Sequence, residues 1–318
     1  MGKQLRNKII LFLLPIVAIV LILFFIPINK RFAYHFIKGN CYDHGAWMYD
    51  RIYENEMPVD IAFIGSSRTL HAINEPLVEE KLNKATNGGF HVLNLGYCKQ
   101  GRNFQYAVLK DLLSKKHPKL VVIEVSEDEQ RSSHPSYPFI ADTKDLLVAP
   151  FLNQYYIGDL FKSLTMRWEY IKNKLVFHDD KYPIDLSAFG YGSSTRVASE
   201  QEAIDNDRYW QRRLCRGYDG TWNKFLDSYP LYFLQKSIDL LNNKGIEYCF
   251  LYIPSMKKDV TQSVFHSYFE KKGKVYSISP NKYDKIDFWM DGTHFNDKGS
   301  DTISHDISNF LIEELCLK

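Results

Sequence analysis

Asp60-Ile61-Ala62-Phe63-Ile64-Gly65-Ser66-Ser67-Arg68-Thr69 is a short apolar run that breaks at a glycine and two serines. A run of this length bounded by a turn signal reads as a buried strand, and the polar residues after it read as the start of a helix. The same alternation recurs downstream. Strands are expected at Phe90–Leu95, Lys119–Val125, Ile246–Ile253 and Lys274–Ile278, and helices at Asn74–Leu82, Phe104–Leu113, Tyr229–Asn243, Val260–Phe269 and Lys298–Leu315. Near-continuous apolar strands alternating with amphipathic helices imply an α/β domain, with a parallel sheet covered on both faces. One connection breaks the rhythm. Residues of about 130–228 form a stretch far longer than a βα loop, with helical patterns of their own at Asn153–Leu175 and Ala198–Leu214. They read as an inserted subdomain or lid.

The 318 residues contain 40 Lys plus Arg and 38 Asp plus Glu. Lys3, Arg6 and Lys8 precede an apolar run, and without them 37 cations face 38 acids. A near-neutral chain lacks the basic surplus that phosphate neutralisation needs, so nucleic acid is not an expected partner. A hydrophobic fraction of 45% excludes a disordered chain. The aromatic content of 15% suits a carbohydrate-handling surface and a large core equally. Cys41, Cys98, Cys215, Cys249 and Cys316 are too few and too scattered for a disulfide scaffold.

From Ile9 to Asn29 no residue carries a charge. At 1.5 Å per residue such a run spans about 30 Å, the thickness of a bilayer's hydrocarbon core. The run is longer than the apolar part of a cleaved signal peptide, and no A-x-A site follows it. The expected organisation is a transmembrane anchor over residues 1–29, a juxtamembrane segment over 30–57 and the α/β domain over 58–318. Cations are nearly balanced across the span. The free α-amino group tips the N-terminus towards the cytoplasm and the domain to the outside, as a single-pass protein of the cell (inner) membrane.

Two segments carry candidate chemistry. Ser67 follows a strand end, at the carboxyl edge of a parallel sheet where ligands of open α/β folds bind. A serine at a helix start is also a common N-cap, and alone it says little. Asp291-Gly292-Thr293-His294 precedes the last helix. A carboxylate and an imidazole three residues apart on a tight turn can meet, the acid orienting the base that takes a serine proton.

A strand followed by G-x-S, with D-x-x-H just before the final helix, resembles the SGNH (GDSL-type) hydrolase superfamily over residues 58–318 without the insertion. The resemblance implies a three-layer, flavodoxin-like α/β/α fold. It matches Ser67 to the nucleophile, and Asp291 and His294 to the acid and base. The glycine block that supplies an oxyanion N–H is matched by Asn94-Leu95-Gly96-Tyr97-Cys98-Lys99-Gln100-Gly101. Either Gly101 or Gly96 would donate; the spacing does not choose. Ser66 stands where the family often has Asp, as in envelope members with a G-S-S start. The block after the third strand usually offers an Asn, but here reads Ser126-Glu127-Asp128-Glu129. These acids oppose an oxyanion unless protonated or turned away, and Asn94, Asn103 or the Ser67 N–H would have to compensate.

With an anchor, the resemblance points to the envelope branch of the superfamily, which adds or removes acyl groups on cell-surface polymers. The implied partners are a cell-surface polysaccharide or oligosaccharide and a multi-spanning membrane acyltransferase. The rival reading is a non-catalytic polysaccharide-binding or assembly protein, favoured by the acidic block. Arg68 could clamp a substrate near Ser67 or serve only in a salt bridge. His71 and His134 read as packed or loop histidines. Trp168, Tyr170, Tyr155 and Tyr156 are either sugar-stacking or core residues. No HExxH, Walker or dinucleotide-binding glycine pattern is present, so no metal or nucleotide cofactor is expected.

Overall fold

The computed structural model describes residues 2–147, 150–176, 190, 192–214, 221–256 and 262–316. Helix α1 spans Lys3–Phe25, and Lys30–Phe36 (α2) and His44–Tyr49 (α3) follow. The α/β core then runs β1 (Ile61–Gly65), α4 (Ser67–Ala72), α5 (Glu75–Thr86), β2 (Val92–Gly96), α6 (Arg102–Lys115) and β3 (Leu120–Val125). The insertion holds α7 (Tyr137–Ile140), α8 (Thr143–Leu147), α9 (Tyr156–Val176) and α10 (Glu200–Leu214). The chain closes with α11 (Thr221–Lys244), β4 (Glu247–Tyr252), α12 (His266–Glu270), β5 (Val275–Ser277) and α13 (Asp297–Cys316). The first part of the helix expected from Val260, and Cys215, lie outside the described residues.

The five strands among the described residues are all parallel, in the order β2-β1-β3-β4-β5. This is the flavodoxin-like order, whose switch point lies between β1 and β3. Side chains alternate between two cores. Ile61, Phe63, Val92, Leu120 and Val122 point to one. Ala62, Ile64, Leu93, Leu95, Val121 and Ile123 point to the other. Helices α5 and α13 pack together, as do α6 and α11. Both faces of the sheet are thus covered, which is why its strands are apolar at successive positions.

Helix α1 starts earlier than the uncharged run and takes in Lys3, Arg6 and Lys8. It ends at Phe25, ahead of Pro27, with Ile26 already extended, because a residue before proline is pushed out of the helical region. Residues 4–25 are long and apolar enough to cross a membrane and are almost uncovered by the rest of the chain. By length and composition such a helix could be a membrane anchor or a signal sequence.

Residues 30–57 pack into the domain. Phe32, Tyr34, Trp47, Met48 and Ile52 are buried in the same core as β1 and α6. Tyr34 donates to Asp111 Oδ2 at 3.0 Å, and Lys30 pairs with the same carboxylate at 2.9 Å. A disulfide joins Cys41 to Cys98 across 57 positions, with a Cα–Cα separation of 5.6 Å. One bond is not a scaffold, but it ties this segment to the loop after β2.

His134, at the entry to the insertion, is a buried structural residue. Its Nε2 donates to the Cys98 carbonyl at 2.6 Å and its Nδ1 accepts from the Ser136 N–H at 3.1 Å, which defines a neutral ring. Burial pushes its pKa down to about 4. Because the folded value lies below the unfolded one of about 6.5, its contribution is intact above pH 6.5 and is lost as pH falls towards 4. The expected loss over that window is about 3 kcal/mol. Thermal unfolding of wild type and His134→Gln across pH 4–7 checks this. The wild type should lose more stability on acidification than the variant, and parallel profiles would contradict it.

Candidate active site

Strand β1 ends at Gly65, and the chain turns at once into α4. Ser66 caps that helix, accepting from the Arg68 N–H at 3.2 Å. Its own N–H and Oγ donate to the Glu124 carboxylate of β3 at 2.5 and 2.8 Å, and Thr69 Oγ1 donates to the same group at 2.5 Å. Glu124 thereby clamps the turn that presents Ser67. A Cβ at Gly65 would overlap both Thr69 and the Glu124 carboxylate, so only glycine fits there.

The partner of Ser67 arrives 227 positions later. Trp289 and Phe295 form an antiparallel bridge and stack at 4.1 Å, and Met290 N–H donates to the His294 carbonyl at 2.8 Å. These contacts close a tight loop holding Asp291 and His294. Asp291 Oδ1 accepts from the N–H groups of Thr293 and His294 at 2.8 and 2.9 Å. Its Oδ2 lies 2.8 Å from His294 Nδ1. Across the ring, His294 Nε2 lies 2.8 Å from Ser67 Oγ. Burial alone would raise the Asp291 pKa, but the bonds from the imidazole and two backbone N–H groups hold it well below the usual carboxylate range. The carboxylate therefore stays charged, which orients the ring with Nδ1–H towards Asp291 and a lone pair towards serine.

The acidic block after β3 is paired with arginines. Glu127 pairs with Arg68 and accepts from Ser255 Oγ at 2.7 Å. Asp128 pairs with Arg213 of α10, and Glu129 holds Arg102 in a two-pronged contact at 2.6 and 2.8 Å. Each charge is matched, so the block does not present bare carboxylates to an oxyanion. Arg68 is correspondingly a buried member of an ion pair, stacked under Trp210 at 5.4 Å, though it still borders the cleft.

The oxyanion candidates separate. Asn94 Nδ2 donates to the carbonyls of Thr69 and Ile73 at 3.0 and 3.1 Å, and its Oδ1 accepts from the Gly96 N–H at 2.9 Å. Those donors are spent in holding α4 against β2, and Gly96 is glycine because a Cβ would overlap the Leu70 backbone. Asn103 is engaged too, donating to Ser133 Oγ and Tyr229 OH at 2.8 and 3.1 Å. Gly101 sits at the N-terminus of α6, next to the cleft residues Lys99 and Gln100. His71 makes no bond to Ser67; its Nδ1 donates to the Gly192 carbonyl at 2.7 Å and its ring packs edge-on against His294 at 5.1 Å. Burial, and then the neighbouring His294, lower its pKa, so it stays neutral beside the imidazole.

Ser67 and His294 open into a cleft of about 570 Å³. The insertion forms much of its wall through Tyr155, Asp159, Lys162, Tyr209, Trp210 and Arg213. Segment 192–199 straps the insertion across the site. Gly192 N–H donates to the Leu70 carbonyl and Ala198 N–H to the Trp289 carbonyl, both at 2.8 Å. An adjoining cleft of about 540 Å³ shares Tyr155, Tyr209 and Arg213. Of the four insertion aromatics singled out from the sequence, only Tyr155 lines the cleft. Trp168 is exposed and Tyr170 packs on Phe32. Tyr209 and Trp210 escaped the sequence reading, although they lie in the helical pattern Ala198–Leu214. Among the described residues no group of three or more His, Cys, Asp or Glu could hold a metal ion.

No family model matches the chain, and a comparison with curated proteins gives no match. Among solved structures, the acetyl xylan esterase AlAXEase aligns with 80% of this chain and 100% of its own, at 14% identity and a TM-score of 0.28. A likeness at that level carries no argument, so the functional reading rests on the site itself.

Proposed function

We propose that this protein is a membrane-anchored, extracytoplasmic SGNH-type serine acyltransferase or esterase acting on cell-surface carbohydrate. The observation that carries the reading is the continuous chain Asp291 Oδ2–His294–Ser67 Oγ, with both contacts at 2.8 Å. In the first step the Ser67 proton moves to His294 Nε2 as Oγ bonds to the acyl carbon, and the carbonyl electron pair moves to oxygen. Backbone N–H groups of Ser67 and Gly101 hold that oxyanion. The oxyanion collapses, the bond to the departing oxygen breaks, and His294 returns its proton to the leaving group. An acceptor hydroxyl then gives its proton to His294 as its oxygen bonds to the acyl carbon of acyl-Ser67. The second oxyanion collapses, the bond to Ser67 Oγ breaks, and His294 returns the proton to Oγ, which restores the free serine.

The cleft supports a carbohydrate acceptor: Tyr155, Tyr209 and Trp210 offer flat apolar faces among charged neighbours. Its wall of inserted helices favours acyl transfer over hydrolysis, because a transferase gains by excluding water while an acceptor is bound. The Cys41–Cys98 bond agrees with an oxidising compartment outside the cytoplasm. A multi-spanning membrane acyltransferase remains the proposed source of acyl groups. The non-catalytic alternative loses its main support, since arginines neutralise the acidic block.

Incubating the full-length protein in detergent with an activated acyl ester, with and without oligosaccharide, tests the transfer. Acylated sugar is expected, with less free acid when sugar is present. Free acid at the same rate in both, with no acylated sugar, would leave only the esterase.

A further inference from the structure

Helix α9 has two unlike faces. Asp159, Ser163, Met166 and Arg167 are buried against the domain. On the other side, Ile157, Phe161, Thr165, Trp168, Lys172 and Leu175 are exposed, spaced by three or four residues and so on one stripe. The four large apolar members are 74, 71, 55 and 71% exposed, and Phe151 just before the helix is 88% exposed. The stripe runs for about 27 Å at 1.5 Å per residue. Isolated exposed apolar side chains are ordinary; a row of this length needs a partner.

The position of α9 says which partner. It packs on the end of α1, where Arg167 donates to the Ile26 carbonyl at 2.5 Å and lies over the Phe24 ring at 5.4 Å. Thr143 Oγ1 adds a bond to the Phe24 carbonyl at 3.0 Å. Where the apolar, uncovered α1 meets the domain is where a bilayer surface lies if α1 is inserted. Trp168, with its apolar ring and polar N–H, and the exposed Lys172 and Lys174 suit the headgroup layer, the lysines facing anionic lipid.

We propose that α9 lies in the headgroup region of the bilayer that α1 crosses, its Ile157–Leu175 stripe covered by phospholipid. Tyr155, Asp159 and Lys162 line the cleft from this helix and the residues before it. Docking α9 on lipid therefore holds the cleft beside the membrane, where an acyl donor delivered through the bilayer would emerge. The inference rests on α1 being inserted and not on the catalytic role of Ser67.

The test uses the full chain in nanodiscs made with ordinary or brominated anionic phospholipid, reading tryptophan emission. Trp47, Trp210 and Trp289 are buried in the domain. With the fifth tryptophan removed from both samples as Trp222→Phe, bromine should quench the protein that keeps Trp168 at least about twice as strongly as the one carrying Trp168→Phe; equal quenching would overturn the proposal. A photoreactive benzophenone side chain at Phe161 in native membranes should give lipid adducts, whereas adducts to a second copy or another protein as the main product would overturn it. Release of the chain from membranes by carbonate would remove the premise about α1. Fluorophosphonate labelling of the same samples reports Ser67 separately, so failure of the lipid contact and failure of the enzymatic reading are distinguishable.

Discussion

His294→Ala is expected to lower kcat for ester cleavage by about 10⁴-fold or more, with little change in KM. The loss is large because one side chain performs four proton transfers: from Ser67, to the leaving group, from the acceptor and back to Ser67. The neighbouring His71 does not rescue it. Its Nδ1 is committed to the Gly192 carbonyl, it has no carboxylate placed like Asp291, and burial holds it neutral. Asp291→Asn should fall in the same direction with an intact fold, because an amide in that place no longer favours Nδ1–H and a free Nε2 lone pair. Steady-state kinetics on an activated acyl ester decides the point. A kcat within tenfold of wild type for His294→Ala would mean that another group acts as base.

Glu129→Ala is expected to destabilise the fold by about 3–5 kcal/mol. Glu129 and Arg102 are almost wholly buried, with side-chain exposures of 0 and 2%, and the pair joins the loop after β3 to the start of α6. Truncating the acid strands a guanidinium without its counter-ion in a low-dielectric interior. Replacing both by leucine should cost much less than the single truncation, since it removes the two charges together. Thermal unfolding of the two variants side by side checks this; equal losses would show that packing, and not the unpaired charge, dominates.

The sheet was legible because both of its faces are buried. Strands such as Leu120–Val125 are apolar at nearly every position, and the turn residues between elements mark their ends. Ser67 and His294, which the fold brings to 2.8 Å, were not legible one at a time, since a serine at a helix start is also a common N-cap. Only G-x-S after the first strand taken together with D-x-x-H before the last helix, through the resemblance to the SGNH superfamily, put them in one candidate site. What failed was whatever depends on contacts distant along the chain. Asn94 looked like an oxyanion donor, but its amide is spent on carbonyls of α4, which packs over β2 only in the folded protein. The acids at 127–129 looked hostile to catalysis because their arginines come from α4, α6 and α10. The cleft aromatics Tyr209 and Trp210 lie on an amphipathic helix whose pattern does not say which face meets the site. The Cys41–Cys98 pairing likewise could not be read from spacing alone.

The central claim is that Ser67, activated by His294 and Asp291, is the nucleophile of acyl transfer. Fluorophosphonate labelling of the purified full-length protein, with the modified residue located by mass spectrometry, tests it most directly. A single adduct on Ser67, absent in Ser67→Ala and formed far more slowly in His294→Ala, is the predicted result. Labelling that is missing in the folded wild type, or that persists unchanged in Ser67→Ala, would contradict the account.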